Sequence, residues 1–307
     1  MNLSTTDGTK IYQVDVLISV HVIEMSKDNE RKVGPIYRVF SQDLYSTGFH
    51  TEGFGFRQEE MWRSKSRQFS KDADIIGKIE EARRSDDKTK LPPVKKFGFI
   101  ILRQSLWDKA DDLDKRLVVK LFSNSGGWVA TMEEMVAEEY AMSFASDRPL
   151  VSFTVLSRES EFVTYVRQFR RGGTSTENYA FYIIGPKGTF DAFRIEGARA
   201  SLGDDFKVIR LNGNETVADI DSKFGDVGGE YVVKIKDPIL AANEWFCRVL
   251  QCFSIMIAFR AKIRKKIDNG FHKWKKGKWE PSQHRYEVSL LANPRKLTLK
   301  IDELEQV

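Results

Sequence analysis

A segment near the carboxyl end combines many cations with aromatic residues: 260–279 reads RAKIRKKIDNGFHKWKKGKW, with one acid, Asp268. A lysine near an anionic bilayer contributes on the order of 1 kcal/mol, and tryptophan settles at the headgroup level. We therefore predict a lipid-binding surface that consists of Arg264, Lys265, Lys266, Lys273, Trp274, Lys275, Lys276, Lys278 and Trp279. The same composition also fits nucleic-acid stacking, a nuclear import signal or a solvated basic linker.

Residue types that perform catalysis are present without the spacing that catalysis needs. The histidines are scattered, and no Ser-His-Asp or Cys-His arrangement can be assigned. Glycine pairs match neither a Walker loop nor a dinucleotide fingerprint. The acidic run EEMVAEEY at 133–140 could pair carboxylates on one helical face, but we interpret it as a solvated helix. We predict that the protein is not an enzyme and needs no cofactor.

Charge and cysteine content favour a reducing compartment. The 307 residues carry a net charge of +5, a mild excess that suits anionic lipid or nucleic acid. Cys247 and Cys252 are too few for a secreted disulfide framework. They would lie about 140° apart around a helix, so they are predicted to be apolar filler rather than metal ligands. Because the start of the chain lacks a signal-peptide pattern, we expect an intracellular protein, at the cytoplasmic face of a membrane or in the nucleus.

Five stretches repeat one pattern, in which two arms of alternating apolar residues flank a polar break: 37–52, 118–133, 153–167, 181–195 and 206–220. Alternation at a period of two is typical of half-buried strands, and the breaks often hold Gly or Asn, which favour turns. The stretch 11–25, IYQVDVLISVHVIEM, predicts one more strand. The pattern predicts a mainly β, antiparallel architecture.

Two segments depart from this pattern. Residues 57–96 are highly charged and include Pro92 and Pro93, so we interpret them as a solvated insertion with a short amphipathic helix. Residues 264–307 begin basic and end acidic, and are interpreted as a tail. The predicted organisation is one β-rich domain over 1–263, with the insertion at about 57–96, followed by the tail.

The most apolar stretch, FCRVLQCFSIMIAF at 246–259, is predicted to be a helix buried inside protein. Pro238 suits a helix start because its missing N–H would be unpaired in the first turn. A membrane span needs about 20 consecutive apolar residues, whereas Arg248 and Gln251 interrupt this stretch. Apolar side chains surround the helix, which favours enclosure: they are Phe246, Val249, Leu250, Phe253, Ile255, Met256, Ile257 and Phe259.

The order of these features resembles the tubby C-terminal-like superfamily, and more closely its phospholipid scramblase branch. The matching positions in 190–235 are Arg194, Ile195, Gly197, Asp205, Phe206, Val208, Gly213, Val217, Ile220, Lys223 and Tyr231. Leu250, Gln251, Phe253 and Ile255 match the L-Q-x-F-x-I core of the tubby helix. The resemblance implies a closed antiparallel β-barrel of about twelve strands with the apolar helix threaded through its lumen.

The sequence departs from the scramblase branch at two sites. The cysteine cluster that is normally palmitoylated has no counterpart in RQFRRGGTSTENY at 167–179. The acidic calcium segment before the helix retains only Asp226, Glu230 and Asp237, while Lys234 and Lys236 would repel a cation. Because calcium takes six to eight oxygen ligands, these three carboxylates would form at most a weak calcium site.

Two functional hypotheses follow from the residues and the resemblance. The first is a scramblase-like protein that binds anionic phospholipid at membranes and helps lipids move between leaflets. The second is a soluble tubby-like interaction module that binds phosphoinositide or nucleic acid and scrambles nothing. No small-molecule substrate is suggested by the sequence.

Overall fold

A computed structural model describes residues 35–44, 73–83, 95–103, 106–107, 115–160, 162–170, 176–185, 189–197, 205–222, 229–280 and 287. Within these residues, twelve strands form one closed antiparallel barrel in the order β1-β12-β11-β10-β9-β8-β7-β6-β5-β4-β3-β2. The strands are β1 (Arg38–Leu44), β2 (Ala73–Arg83), β3 (Lys95–Arg103), β4 (Val118–Ser123), β5 (Trp128–Glu134), β6 (Ser152–Ser157), β7 (Thr164–Phe169), β8 (Asn178–Ile184), β9 (Phe190–Gly197), β10 (Phe206–Arg210), β11 (Glu215–Ser222) and β12 (Glu230–Ile235).

Four of the five predicted hairpins are confirmed. They are the antiparallel pairs β4–β5, β6–β7, β8–β9 and β10–β11. In the last pair, Gly213 and Asn214 adopt positive φ angles of 88° and 53°, which tight hairpin turns require. The fifth stretch supplies β1, while its second arm and the strand predicted at 11–25 lie outside the described residues.

The interpretation of 57–96 as an insertion with a helix is wrong for its described part. Residues 73–83 form β2, which pairs with β1 on one side and β3 on the other. β2 carries charged residues, and one of them, Glu81, is buried. Its burial is compatible with its charge because its carboxylate accepts a hydrogen bond from Arg38 Nε at 2.9 Å. A strand whose charges are paired inside a barrel lacks the simple alternation from which strands are recognised.

Three described helices accompany the barrel: α1 (Val136–Ser146), α2 (Pro238–Ala242) and α3 (Glu244–Lys275). Pro238 does open a helix, and Asp237 caps it by accepting hydrogen bonds from the backbone N–H groups of Ile239 and Leu240. This helix is only one turn long, because Asn243 is extended and caps a second helix. The apolar stretch therefore belongs to α3 rather than to a single helix that starts at Pro238.

The first half of α3 fills the barrel lumen, as predicted. Phe253 contacts the rings of Phe153, Tyr179 and Phe206, which lie on β6, β8 and β10, at centroid distances of 5.0 to 6.5 Å. Because these strands lie on different parts of the barrel wall, the helix must run inside it. All the predicted apolar positions are buried: Phe246, Val249, Leu250, Phe253, Ile255, Met256, Ile257 and Phe259.

The charged groups at the start of α3 and around it are paired inside the barrel. Arg38 lies where α3 begins, with its guanidinium 2.9 Å from the Glu244 carboxylate and 3.2 Å from Cys247 Sγ. Arg248 is 3% exposed and reaches Glu244 at 2.7 Å. The charge of Arg248, which interrupts the apolar stretch, is thus compatible with burial, since buried ions need a partner.

The strand directions distinguish the two ends of the barrel. The upper end holds α2 and the turns at 124–127 and 211–214, which join β4 to β5 and β10 to β11. The lower end holds α1 and is where α3 leaves the lumen, near Phe259, whose ring meets Trp107 at 5.6 Å. Residues 264–275 belong to α3, so the predicted boundary between barrel and tail at residue 263 falls inside a continuous helix.

Candidate functional site

The half of α3 that extends beyond the barrel carries exposed lysines on one side. Lys262, Lys265, Lys273 and Lys276 are all exposed, the last at the end of the helix. At 100° per residue these four positions fall within an arc of about 80°. We call these four residues the basic surface. The opposite side of the helix is apolar and buried through Ile263, Ile267 and Gly270.

Helix α1 holds this half of α3 in place through aromatic contacts. The rings of Phe144 and Trp274 stack at 4.4 Å with an interplanar angle of 14°. Gly270 lies so close to Tyr140 that an added Cβ would approach its hydroxyl oxygen to 2.5 Å. Trp279 also packs against Tyr140, with ring centroids 5.0 Å apart. The two predicted tryptophans therefore support the helix, although Trp274, which lies on the side of α3 that faces Phe144 and away from the basic surface, remains 43% exposed.

The other predicted lipid contacts differ in how accessible they are. Lys275 and Lys278 are exposed, and Lys275 lies 4.0 Å from the centroid of the Phe271 ring. Arg264 forms an ion pair with Glu177, which also lies 2.9 Å from Arg260. Glu177 was not identified from the sequence, because it stands in the loop before β8 and shares no local pattern with the helix.

The prediction that Lys266 contacts lipid is wrong, because this side chain is 3% exposed. Its ammonium donates to the Glu134 carboxylate and, at 3.0 Å, to the carbonyl oxygen of Lys115, and lies 3.9 Å from Glu139 Oε2. The side chain points towards the barrel and α1 rather than towards solvent. Lys266 therefore fixes the rotation of α3 about its axis instead of joining the basic surface.

The acidic run 133–140 is not a solvated helix, since Glu134 and Glu139 are buried. Glu134 ends β5 and accepts from the backbone N–H of Leu117 at 2.6 Å, while Glu139 on α1 accepts from that of Ser152 at 3.0 Å. Burial and then the Glu134 charge raise the pKa of Glu139 well above its ordinary value. Burial alone would raise the pKa of Glu134 too, but the Lys266 ammonium and the hydrogen bonds to Glu139, Lys266 and the Leu117 N–H together outweigh it, and the pKa is lowered.

One described residue of the predicted tail also docks on this end of the barrel. Glu287 is buried, and its carboxylate accepts hydrogen bonds from the backbone N–H groups of Ala137 and Glu138 at 2.7 and 3.3 Å. It lies 3.4 Å from the Arg116 guanidinium. A carboxylate at a helix start satisfies unpaired N–H groups and the helix dipole. Glu287 thus caps α1.

The predicted calcium ligands have other partners where they are described. Glu230 accepts from the Ser41 hydroxyl at 2.9 Å, while Asp237 caps α2 and lies 3.0 Å from Arg210. Asp226 lies outside the described residues. Among the residues that the structure describes, no group of three or more His, Cys, Asp or Glu side chains could hold a metal ion.

The upper end of the barrel has a different surface character. Large apolar side chains are exposed there on separate segments of the chain: Phe162 (51%), Phe190 (68%), Leu211 (47%) and Ile239 (75%). Phe162 stacks on Trp245 at the start of α3, with ring centroids 6.3 Å apart. The barrel is therefore polarised, with an apolar upper end and a basic lower end.

Comparisons with known proteins found no matching family model, no matching curated protein and no matching solved structure. Within the described part of the chain, no helix has both the length and the hydropathy needed to cross a bilayer.

Proposed function

We propose that this protein is a divergent relative of the scramblase branch of the tubby-like superfamily and binds anionic phospholipid at a membrane surface. The observation that carries the proposal is the basic surface, in which Lys262, Lys265, Lys273 and Lys276 face one direction. The closed barrel around α3 agrees with the architecture that the resemblance implies. The membrane face would be cytoplasmic, where anionic lipids are concentrated.

The charge of the basic surface is large enough to hold a protein on an anionic bilayer. Each lysine near such a surface contributes about 1 kcal/mol, so four contribute about 4 kcal/mol, or about a thousandfold in affinity. This attraction decays within about 10 Å at 0.1 M salt, so only lysines that face the bilayer together contribute fully. The arc on α3 satisfies this requirement.

The packing of Trp274 argues against stacking on nucleic-acid bases. Stacking on nucleic-acid bases needs an accessible aromatic face, but Phe144 covers one face of the Trp274 ring. We therefore treat nucleic-acid binding as an outcome of the test rather than as a second proposal.

Movement of lipid between leaflets is a separate part of the hypothesis. The lumen is occupied by α3 side chains such as Phe246 and Phe253, both fully buried. The proposal is therefore limited to surface binding. A dithionite assay on labelled vesicles, with and without calcium, measures whether the protein also accelerates lipid exchange.

Co-sedimentation with phosphatidylcholine vesicles, with and without phosphatidylserine, tests the binding proposal. Wild-type protein should bind only the anionic vesicles, and changing all four lysines of the basic surface to glutamate should weaken binding at least about a hundredfold. The single variant Lys265→Glu should also weaken binding. Arg158 at the upper end is 59% exposed, so Arg158→Glu is a matched charge reversal, and it should leave binding unchanged.

Three outcomes would overturn the proposal. The first is unchanged binding of the fourfold variant at about 0.1 M salt, because lysines that face the bilayer within about 10 Å still contribute at that concentration. The second is binding that is lost on replacing Phe162 and Ile239 with serine, which would place the contact at the apolar upper end. The third is tight binding to duplex DNA in the absence of any vesicle binding.

A further inference from the structure

An exposed histidine lies beside the basic surface on α3. His272 is in the last turn of the helix. At 100° per residue it lies about 20° outside the arc of the four lysines, and its position along the axis falls between Lys265 and Lys276. It is one turn before Lys276 and two turns after Lys265, so these three positions face nearly the same direction. A bilayer that contacts the basic surface therefore also comes close to the imidazole.

The charged groups nearest to His272 along the chain lie on α3 itself. Asp268 is one turn before it and Lys276 is one turn after it, with Lys273 and Lys275 in the same turn as Lys276. All of these side chains are exposed. Protonation of His272 therefore adds to a positive charge that is already present in this turn of α3.

The acids that the structure describes on neighbouring elements face other cations. Helix α1 packs against the side of α3 that holds Gly270 and Trp274, about 160° around the axis from His272. The acids of α1 and of the nearby barrel lie at cations other than His272: Glu134 and Glu139 at Lys266, Glu177 at Arg260 and Arg264, Asp147 at Lys275, and Glu138 at Arg167. His272 is thus exposed on the side where a bilayer would lie.

Histidine is the side chain whose ordinary charge change falls near physiological pH. An imidazole gains a proton between about pH 8 and about pH 5, whereas a lysine side chain is ordinarily charged throughout this interval. On a surface that consists of lysines, a histidine is therefore the group whose charge responds to pH.

Proton uptake and bilayer binding are coupled at such a position. A negative surface potential favours the protonated form of a base that faces it. Because each binding event then favours the other, the affinity for the bilayer must rise as the pH falls. One added charge near an anionic surface contributes about 1 kcal/mol, which is about fivefold in affinity.

We propose that His272 is a further bilayer contact of the basic surface and makes binding to anionic phospholipid stronger at mildly acidic pH than at neutral pH. This inference rests on the proposed function. At about pH 5.5 the protonated imidazole acts as a fifth cation beside the four lysines, and at about pH 7.5 it contributes no charge. Acidification then tightens binding to the same bilayer without a change of fold.

Co-sedimentation at about pH 5.5 and about pH 7.5 with vesicles of phosphatidylcholine and phosphatidylglycerol tests the inference, because the phosphodiester of the glycerol headgroup keeps its charge over this range. Wild type should bind up to about fivefold more tightly at the lower pH. His272→Gln should bind at both pH values as wild type does at the higher one, and His272→Lys should bind at both as wild type does at the lower one. Circular dichroism at both pH values establishes that each variant is folded.

Two controls separate His272 from other titrating groups. The other histidines of the chain, His21, His50 and His284, lie outside the described residues, and changing all three to glutamine should leave the pH dependence intact. Calorimetry in two buffers of different ionisation enthalpy measures the protons that are taken up on vesicle binding. Wild type should take up protons at about pH 6.5, and His272→Gln should lose this uptake.

The outcomes distinguish the inference from the proposed function. If wild type binds anionic vesicles at neither pH, the proposed function fails and the inference fails with it. If wild type binds equally at both pH values, or if folded His272→Gln keeps the full pH dependence, only the inference is refuted. Loss of the pH dependence in the variant that lacks the other three histidines would likewise refute it, because the responsible imidazole would then lie elsewhere.

Discussion

Replacing Lys266 with methionine should destabilise the protein strongly while leaving its lipid binding intact. The ammonium of Lys266 is the cation that contacts the buried Glu134 carboxylate. Methionine preserves much of the length and apolar volume of the stem, so the main loss is electrostatic. Lys265, the adjacent residue, is exposed and provides a matched control.

The size of the effect follows from burial. Removing one partner of a buried ion pair costs about 3–5 kcal/mol, because the other charge remains without compensation. Lys266 and Glu134 are 3% and 2% exposed, so water cannot replace the lost partner. A domain of ordinary stability has about 5–15 kcal/mol in total. Lys266→Met should therefore remove a large part of the free energy of unfolding, and the double variant with Glu134→Gln should recover most of it.

The loss should depend on pH in a defined direction. The folded-state pKa of Glu134 is below its ordinary value of 4.5. The ionised carboxylate therefore adds to the free energy of unfolding above pH 4.5, and this contribution disappears as the pH falls through the lowered pKa. The pKa of Glu139 is raised instead. Its protonated form therefore adds to the free energy of unfolding below pH 4.5, and this contribution is lost as the pH rises through the raised pKa. In Lys266→Met, burial without the ammonium raises the pKa of Glu134. The gap between variant and wild type should therefore be large at about pH 7 and shrink towards about pH 4.

Urea unfolding followed by tryptophan fluorescence measures this gap, and vesicle co-sedimentation measures binding. We expect Lys266→Met to lower the unfolding midpoint and to bind lipid normally at temperatures where it is folded. Lys265→Met should leave the unfolding midpoint unchanged and weaken lipid binding. A Lys266→Met variant as stable as wild type at neutral pH would refute the assignment of a buried ion pair, as would a loss that does not shrink on acidification.

Three further predictions concern the helix and its surroundings. Ile257→Asp should leave the protein insoluble or unfolded, as judged by expression and circular dichroism, because an unpaired carboxylate inside the barrel costs about as much as a domain's whole stability, about 5–15 kcal/mol; soluble, cooperatively folded variant protein would contradict this. Gly270→Ala should cost about 1–3 kcal/mol in chemical unfolding through the clash with Tyr140, whereas Asn269→Ala at the exposed neighbouring position should be nearly neutral. Both cysteine thiols should resist a thiol reagent until the protein is denatured, since burial raises the pKa of Cys252 to about 12 and excludes the reagent; prompt labelling of the native protein would show that the lumen opens.

The sequence alone predicted most of the barrel wall. Residues 118–123 and 128–134, for example, are rich in β-branched and aromatic residues and flank a turn that holds Gly126 and Gly127, so the β4–β5 hairpin can be recognised without tertiary information. The apolar stretch 246–259 is likewise too rich in apolar residues on all sides for a surface helix and too short for a membrane span. These features are local, because each depends on a periodicity or a length within one segment.

The candidate site depended on contacts that no local pattern records. Lys265 and Lys266 are neighbours of the same type, yet one is exposed and the other is buried against Glu134, which lies 132 positions away. Glu177 pairs with Arg260 across a separation of 83 positions. Which lysine faces solvent is decided by the rotation of α3 against α1 and the barrel, and that rotation is fixed by packing between distant segments. A basic run therefore predicts a charged surface, but only the tertiary structure determines which of its charges are available to a partner.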